Sequence, residues 1–284
     1  MDVETRAQIL IEALPYIQRF SGSTIVVKHG GSAMSDPELR QDVAKDIVMM
    51  HFVGIRPIVV HGGGPRISAM MERLGLKPEF VRGLRVTSEQ TMEVAQMVLV
   101  GSINKEIVTL INAEGGRAIG LSGKDANLIR AKKLRAEADL GFVGEVESIE
   151  AGVLETLAGA GYIPVVAPIG IGPKGESYNI NADHVAGELA VAMKADKLID
   201  LTDVPGVLAD PDDEESVIST LTLDEARELL DTEGIGEGMI PKVESAIWAV
   251  EAGVPRVHII DGRIPHASLI EVFTDRGIGT MISA

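Results

Sequence analysis

Short runs of five or six apolar residues recur along this chain, each closed by a turn and followed by a stretch whose apolar positions return every three or four residues. The runs predict strands buried on both faces, and the stretches behind them predict amphipathic helices. Residues 24–28 make the first strand. It passes through Gly30 and Gly31 into a helix with Asp36 as N-cap, Pro37 in its first turn, and an apolar stripe of Leu39, Val43, Ile47 and Met50. The second unit has strand 56–60, the turn "HGGG" at 61–64, and a helix opened by Pro65 that carries Ile67, Met70, Met71 and Leu74. Strand, turn and helix in this order predict a parallel sheet.

Ahead of the first strand, residues 4–20 predict a helix with Ile9, Leu10, Ala13, Leu14 and Ile17 on one face and a kink at Pro15. A long helical pattern covers 89–113, followed by strand 117–121, hairpins to about 148, helix 150–160 and strand 162–167. The rhythm resumes with a helix capped near Asp183, strand 197–201, an acidic loop at 210–216 and a helix at 222–231. Helix 241–252, strand 256–260, helix 265–273 and a last strand at 279–283 complete it. The expected organisation is an N-terminal helix (1–21) and two lobes, 22–175 and 176–284, whose boundary near 170–180 lies inside a shared sheet. No stretch reads as a flexible linker or an internal repeat.

Length and composition narrow the function classes. A chain of 284 residues buries a substantial core in one large domain or two lobes. Lys and Arg number 26 against 42 Asp and Glu, a formal charge of −16, which disfavours a nucleic-acid backbone or an anionic membrane as partner. With no cysteine there are no disulfides, thiolate metal sites or thiol nucleophiles. The acidic amino terminus does not read as a secretory signal, and no apolar stretch approaches the roughly 20 residues of a membrane span. The expectation is a soluble cytoplasmic protein.

Candidate chemistry gathers at strand ends. In open parallel sheets ligands bind beyond the carboxyl ends of the strands, where glycines let backbone N–H groups approach an anion at a helix N-terminus. A dinucleotide fingerprint is absent, since "KHGGSAM" lacks the spacing and Ile67 stands where a third glycine belongs. Lys28, at the end of the first strand, is a point charge suited to a phosphoryl oxygen or simply a solvated terminus. Lys242 follows Pro241 at a helix start, where the helix dipole disfavours a cation unless an anion sits nearby.

These residues belong to a collinear series of motifs: "VVKHGGSAM", "VVHGGGPRI", "GLRVTSEQTMEV", "MVLVGSINKEIV", "GLSGKDAN", "YIPVVAPIGIG", "YNINAD", "LTDVPGVL", "GMIPKVE", "VHIIDGR" and "GIGT". Over nearly its whole length the chain resembles the N-acetylglutamate kinases, which have the amino-acid kinase fold, an open and mainly parallel α/β sheet sandwiched by helices in two lobes. The resemblance implies ATP-dependent phosphorylation of the side-chain carboxylate of N-acetyl-L-glutamate, the second step of arginine biosynthesis. A carboxylate with an ordinary pKa of about 4.3 is already a nucleophile at neutral pH, which fits a sequence without an obvious catalytic histidine.

By the same resemblance Lys28 and Lys242 are the cations at the transferred phosphoryl group, and Asp183 orients them. Gly63, Gly64, Arg85 and Asn179 hold the amino-acid substrate, Arg85 through a forked pair with its α-carboxylate. Gly30 and Gly31 cradle nucleotide phosphates. Asp203, Val204, Pro205, Gly206, Val207 and Leu208, with Gly234, Ile235 and Gly236, form the adenine and ribose loops. Mg²⁺ is expected to ride mainly on the ATP phosphates, so no protein ligand is assigned to it.

The family members inhibited by arginine carry an extra N-terminal helix that interlaces dimers into a hexamer, and "ILIEALPYIQRF" resembles it. The pattern H-x-x-L-x-E-x5-G-x-G-T is matched by His266, Leu269, Glu271, Gly277, Gly279 and Thr280. The resemblance implies a homo-oligomer, a trimer of dimers, inhibited by L-arginine through Tyr16, His266, Glu271, Gly277 and Gly279. Two departures stand out: His29 where an aromatic is usual, read as packing, and Glu237 where a glycine is common. Kinases of glutamate, aspartate, carbamate or a carrier-bound acylated amino acid stay open as alternatives within the fold. A catalytically silent arginine sensor, or a chain that partners a PII-type signalling protein, stays open outside it.

Overall fold

The computed structural model describes residues 2–34, 36–231, 235–236, 238–274 and 277–284, without the side chains of Arg6, Ser32 and Ala33. The first part of the chain runs α1 (Val3–Phe20), β1 (Thr24–His29), α2 (Pro37–Phe52), β2 (Arg56–His61) and α3 (Gly64–Arg73). A small hairpin of β3 (Phe80–Val81) and β4 (Leu84–Arg85) leads to α4 (Glu89–Gln96) and α5 (Asn104–Ala113). Next come β5 (Ala118–Ser122), β6 (Ile129–Lys133), β7 (Gly144–Ile149), α6 (Gly152–Gly159), β8 (Ile163–Ala167), β9 (Ile169–Ile171) and β10 (Ser177–Asn179). The last part holds α7 (Ala182–Ala192), β11 (Lys197–Thr202), β12 (Thr220–Thr222), α8 (Leu223–Asp231) and α9 (Ile240–Glu251). It closes with β13 (Arg256–Asp261), α10 (Ala267–Phe273) and β14 (Gly279–Ser283).

Every residue of β1 is buried, and so is every residue of β11, because both lie inside one large sheet of order β12-β14-β13-β11-β1-β2-β8-β5. Its neighbours pair in parallel except β13 with β14. The expected shared sheet has its seam at β1 and β11, where the two parts of the chain meet in the register Lys28↔Asp200. Side chains alternate across the seam. Ile25, Val27, Ile199 and Leu201 enter one apolar cluster with Ile47 of α2 and Ile107 of α5. Val26, Leu198 and Ile259 enter the other, with Leu189 of α7 and Val250 of α9. A second sheet, β10-β9-β6-β7, contains the antiparallel β6 and β7 pair within the stretch expected to hold hairpins.

Three of the expected helices can be described more closely. α1 is a single helix with Pro15 inside it, and its apolar face is only partly covered, with Ile9, Leu10 and Leu14 exposed. The helix near Asp183 is capped by Asn181, whose Oδ1 accepts from the N–H groups of Asp183 and His184. The stretch 89–113 forms a continuous 25-residue helix whose most apolar 18-residue window has mean hydropathy 1.4, enough by length and composition alone to cross a membrane. Val98, Leu99, Ile103, Ile107 and Ile111 bury one side of it in the first cluster, and its middle, Met97–Ile103, is π-helical.

Two buried histidines make the fold sensitive to acid. Burial lowers His29 to a pKa of about 3 and His61 to about 4, from an ordinary 6.5. The unfolded chain therefore takes up protons first, and stability falls as pH drops below 6.5, by up to about 1.4 kcal/mol per pH unit for each group. Asp46, pushed up to about 6 by burial, acts in the opposite sense, as do the raised carboxyls of Glu188 and Asp200, while burial lowers His51 and His258 like the other two histidines. Urea midpoints are expected to fall between pH 6.5 and 4, and His29→Phe is expected to flatten that slope; an unchanged slope in the variant would contradict the assignment.

Candidate active site

Lys28 is the fifth residue of β1, and strand alternation turns it away from His29, toward α7 and α9. Its Nζ lies 2.6 Å from Asp183 Oδ1 and 3.1 Å from Asp200 Oδ1. Lys242, in the first turn of α9, reaches the same carboxylates from the other side. Its Nζ donates to Asp183 Oδ1 and Oδ2 at 3.1 and 3.3 Å and to Asp200 Oδ2 at 3.2 Å. All four side chains are largely withdrawn from water. Lys28, Asp183 and Lys242 are thus brought together as expected.

Asp200 is the member the sequence reading missed. Its only signal was a carboxylate inside the otherwise apolar run "LIDL".

Burial pushes the carboxyl of Asp183 up, but the two ammonium groups outweigh it and hold Asp183 well below the usual carboxylate range. Asp200 responds differently: burial raises it, and the two lysines, opposed by Asp183, do not fully compensate. Burial disfavours the charged form of Lys28, yet the two carboxylates overcome this and raise it above an ordinary lysine. The arrangement therefore keeps Lys28 cationic throughout the physiological range.

A cavity opens on each side of this cluster. One, of about 280 Å³, is lined by Lys28, Gly30, Gly31, Gly62, Gly63, Gly64, Arg85, Asn179 and Asp183. The glycines are there for space. A Cβ on Gly63 would sit 2.5 Å from Ile103 Cδ1 and 2.6 Å from Leu99 Cδ2, and Gly31 has φ +64°. Arg85 is buried, with its guanidinium 4.6 Å above the Phe80 ring and Nη2 donating to Gly64 O and Ser68 Oγ at 2.8 Å each. Among the described residues it is one of three cationic residues lining the cleft, with Lys28 and Arg66.

The other cavity, about 220 Å³, is lined by Asp203, Val204, Gly206, Leu208, Ile235, Gly236, Met239 and Lys242, among others. Pro205 is not in this lining, and Val207 is wholly buried in the second cluster while its N–H donates to Thr280 Oγ1 at 2.8 Å. Gly234 and Glu237 lie outside the described residues.

Two compartments, one lined by Lys28 and the other by Lys242, flank a cluster suited to moving a charged group from one bound molecule to another. A profile of the amino acid kinase family matches residues 23–261. Acetylglutamate kinase of Moorella thermoacetica is 58% identical over 96% of both chains, and that of Heliobacterium modesticaldum is 56% identical over 98% of this chain and 97% of its own. The chain belongs to the amino acid kinase family. With these relatives over nearly its full length, it stands among the acetylglutamate kinases and is a phosphotransferase. Solved structures of N-acetylglutamate synthase from Neisseria gonorrhoeae share the fold. The complex with coenzyme A and N-acetyl-glutamate gives TM-score 0.87 at 27% identity, covering 98% of this chain and 63% of that one. The complex with coenzyme A and L-arginine gives TM-score 0.83 at 26% identity, covering 98% and 65%.

In this kinase a further polar cluster lies on the opposite face of the sheet. Glu271 of α10 accepts from His258 Nδ1 at 2.7 Å, and Lys197, at the start of β11, lies 5.1 Å from the Phe20 ring at the end of α1. Burial lowers the His258 imidazole despite its carboxylate partner. Burial raises Glu271, but the His258 hydrogen bond and the Lys197 charge outweigh it, so Glu271 lies below its usual range. A Cβ on Gly277 would lie 3.7 Å from Glu271 Oε2. Tyr16 packs against the first cluster from α1. His266 points elsewhere, with Nδ1 2.6 Å from Asp46 of α2, and Gly279 is a close-approach position where a Cβ would meet Ile259 O at 2.2 Å. Lys197 and His258 were not singled out from the sequence.

His29 fits the packing expectation, since it lies among Val43, Ala44, Ile47 and Ile107 on the face away from the lysines.

Gly30 is the sharpest steric constraint on the cluster. A Cβ there would lie 2.5 Å from Lys28 Nζ, a group held by two carboxylates and unable to yield freely. Gly30→Ala is expected to lower turnover by tenfold or more while shifting the unfolding midpoint little, because the collision is with one side-chain tip. Unchanged kcat in steady-state assays would show that Lys28 has room to move.

Proposed function

We propose that this kinase transfers the γ-phosphoryl group of ATP to the side-chain carboxylate of N-acetyl-L-glutamate, giving N-acetyl-L-glutamyl 5-phosphate in arginine biosynthesis. The observation that carries this reading is a cluster whose Lys28 lines one cavity and whose Lys242 lines another. The 280 Å³ cleft, with Arg85, Asn179 and the glycine turns, suits a small dianionic acyl amino acid. The 220 Å³ cavity, with its apolar lining and Lys242 at one end, suits a nucleotide whose phosphates point to the cluster.

In this scheme the acceptor carboxylate attacks the γ-phosphorus in line, the bond to the β,γ-bridging oxygen breaks, and ADP leaves. No proton has to move, because the nucleophile is already ionised. Lys28 and Lys242 offset negative charge on the group in flight, and Asp183 keeps both ammonium groups in place. Backbone N–H groups near Gly30, Gly31, Gly63 and Gly64 complete the cradle. Among the described residues no three His, Asp or Glu side chains gather to hold a metal, so the reading leaves Mg²⁺ on the nucleotide phosphates.

Regulation by L-arginine is part of the proposal. Glu271, His258 and Lys197 offer a buried charged nest beside α1, and a carboxylate there is a natural partner for a guanidinium. The exposed Val3, Ile9, Leu10, Ile11 and Leu14 make α1 a suitable assembly surface for a hexamer of interlaced dimers.

Acyl-phosphate formation from ATP tests the reaction. N-acetyl-L-glutamate is expected to be phosphorylated far faster than free glutamate; activity on free glutamate alone would overturn the substrate assignment. Lys28→Ala and Lys242→Ala are each expected to cost roughly 10²- to 10³-fold in kcat. Millimolar arginine is expected to inhibit the wild-type protein, and Glu271→Ala to relieve that inhibition without loss of basal activity. Equal rates with and without arginine would defeat the regulatory part.

A further inference from the structure

Asp200 faces both lysines at once. Its Oδ1 lies 3.1 Å from Lys28 Nζ, an ion pair too poorly aligned to be a hydrogen bond, while Oδ2 accepts from Lys242 Nζ at 3.2 Å. Asp183 holds the same two groups from another direction, and its Oδ1 alone lies within 2.6 Å of one and 3.1 Å of the other. One carboxylate gathering two cations leaves a net positive charge and draws like charges together. With Asp200 present the four charges balance.

Geometry adds a second reason. An ammonium group carries three donors on a terminus that turns easily. Two carboxylates in fixed positions confine each Nζ, by ion pairs at Lys28 and by hydrogen bonds at Lys242, and so restrict where the remaining N–H groups point. Asp200 is well placed for this, because it stands opposite Lys28 in the register of two adjacent buried strands. Lys28 also lines the cleft on one side, and Lys242 lines the cavity on the other. Beneath the cluster the small space around Asp200 is closed by Leu198, Ala246, Val257 and Ile259, with Ser245 as the one hydroxyl, and that hydroxyl donates to Asp183 O at 2.8 Å. The charged groups that face Asp200 are Lys28, Lys242 and Asp183, and none of the residues closing that space can substitute for its carboxylate.

We infer that Asp200 is a second positioning residue for phosphoryl transfer, one that aligns Lys28 and Lys242 so that a free N–H of each meets the phosphates. The inference rests on the reading of those lysines as the phosphoryl-binding cations. It differs from a merely structural role, which would lower stability without changing how Lys28 titrates or how kcat and KM divide.

Asp200→Asn keeps the shape and removes the charge; Asp200→Leu removes both acceptors. In steady-state assays from pH 6 to 9, Asp200→Asn is expected to lose tenfold or more in kcat with KM for ATP changed less than threefold. Any alkaline limb of kcat that reports Lys28 is expected to move to lower pH, because Lys28 loses a neutralising partner. Asp200→Leu is expected to lose at least as much. A folded Asp200→Asn protein with kcat within twofold of wild type, or faster, overturns the proposal, the faster case meaning that Asp200 competes with the phosphates for the lysines. Should either variant fail to fold, nitrogen-15 spectra of the wild-type lysine ammonium groups decide: two signals protected from exchange are expected, and their absence overturns the proposal. Lys28→Ala separates the two readings. Full activity there defeats the site itself, whereas an inactive Lys28→Ala beside a fully active Asp200→Asn defeats only the role of Asp200.

Discussion

Two ammonium groups and two carboxylates share a space largely closed to water, and much of the architecture around them serves to hold that arrangement. Transferring any one of these charges alone out of water is costly; together, with short contacts of 2.6 to 3.3 Å, they compensate one another. Each comes from a different element: β1 supplies Lys28, β11 Asp200, α7 Asp183 and α9 Lys242. The cluster therefore forms only when the two halves of the chain have closed into one sheet. Its place at the seam of β1 and β11 makes the site and the fold the same event.

The surroundings follow from that constraint. Parallel strands end on one edge of the sheet, and turns at that edge have to pass close to the lysines without filling the space above them. Glycine is required where this happens, at Gly30 against the Lys28 side chain and at Gly63 against Leu99 and Ile103. Asp183 sits in the first turn of α7, where the helix dipole favours an anion, and its carboxylate in turn makes a cation acceptable at the start of α9. On the other face of the same strand β11, Lys197 begins the run that Asp200 nearly ends. One rigid element thus contributes to the cluster near α1 and to the lysine cluster, with strand alternation putting the two on opposite faces.

Much of this was legible in the chain itself. Runs such as "TIVVKH" and "RPIVVH" are apolar enough to require burial on both faces, and Asp36 with Pro37 marks a helix start by local chemistry alone. The lysines and Asp183 were legible through motifs, and the structure brings them together. Asp200 was not, because a single acidic residue in a strand carries no periodic or spacing signal; its meaning comes from the residue opposite it in the next strand. Lys197 and His258 escaped for the same reason, being separated by 61 positions in sequence and gathered by Glu271 in space.

The sequence by itself determined the order of strands and helices, the turns that need glycine, and the identity of the reaction class, because each depends on neighbours within a few residues or on motifs preserved as strings. Tertiary structure alone decided which strands became neighbours, which face each charge occupies, and that two carboxylates rather than one hold the lysines. Those outcomes depend on strand register, and register is set by how two distant apolar faces pack, a quantity no local stretch of the chain contains.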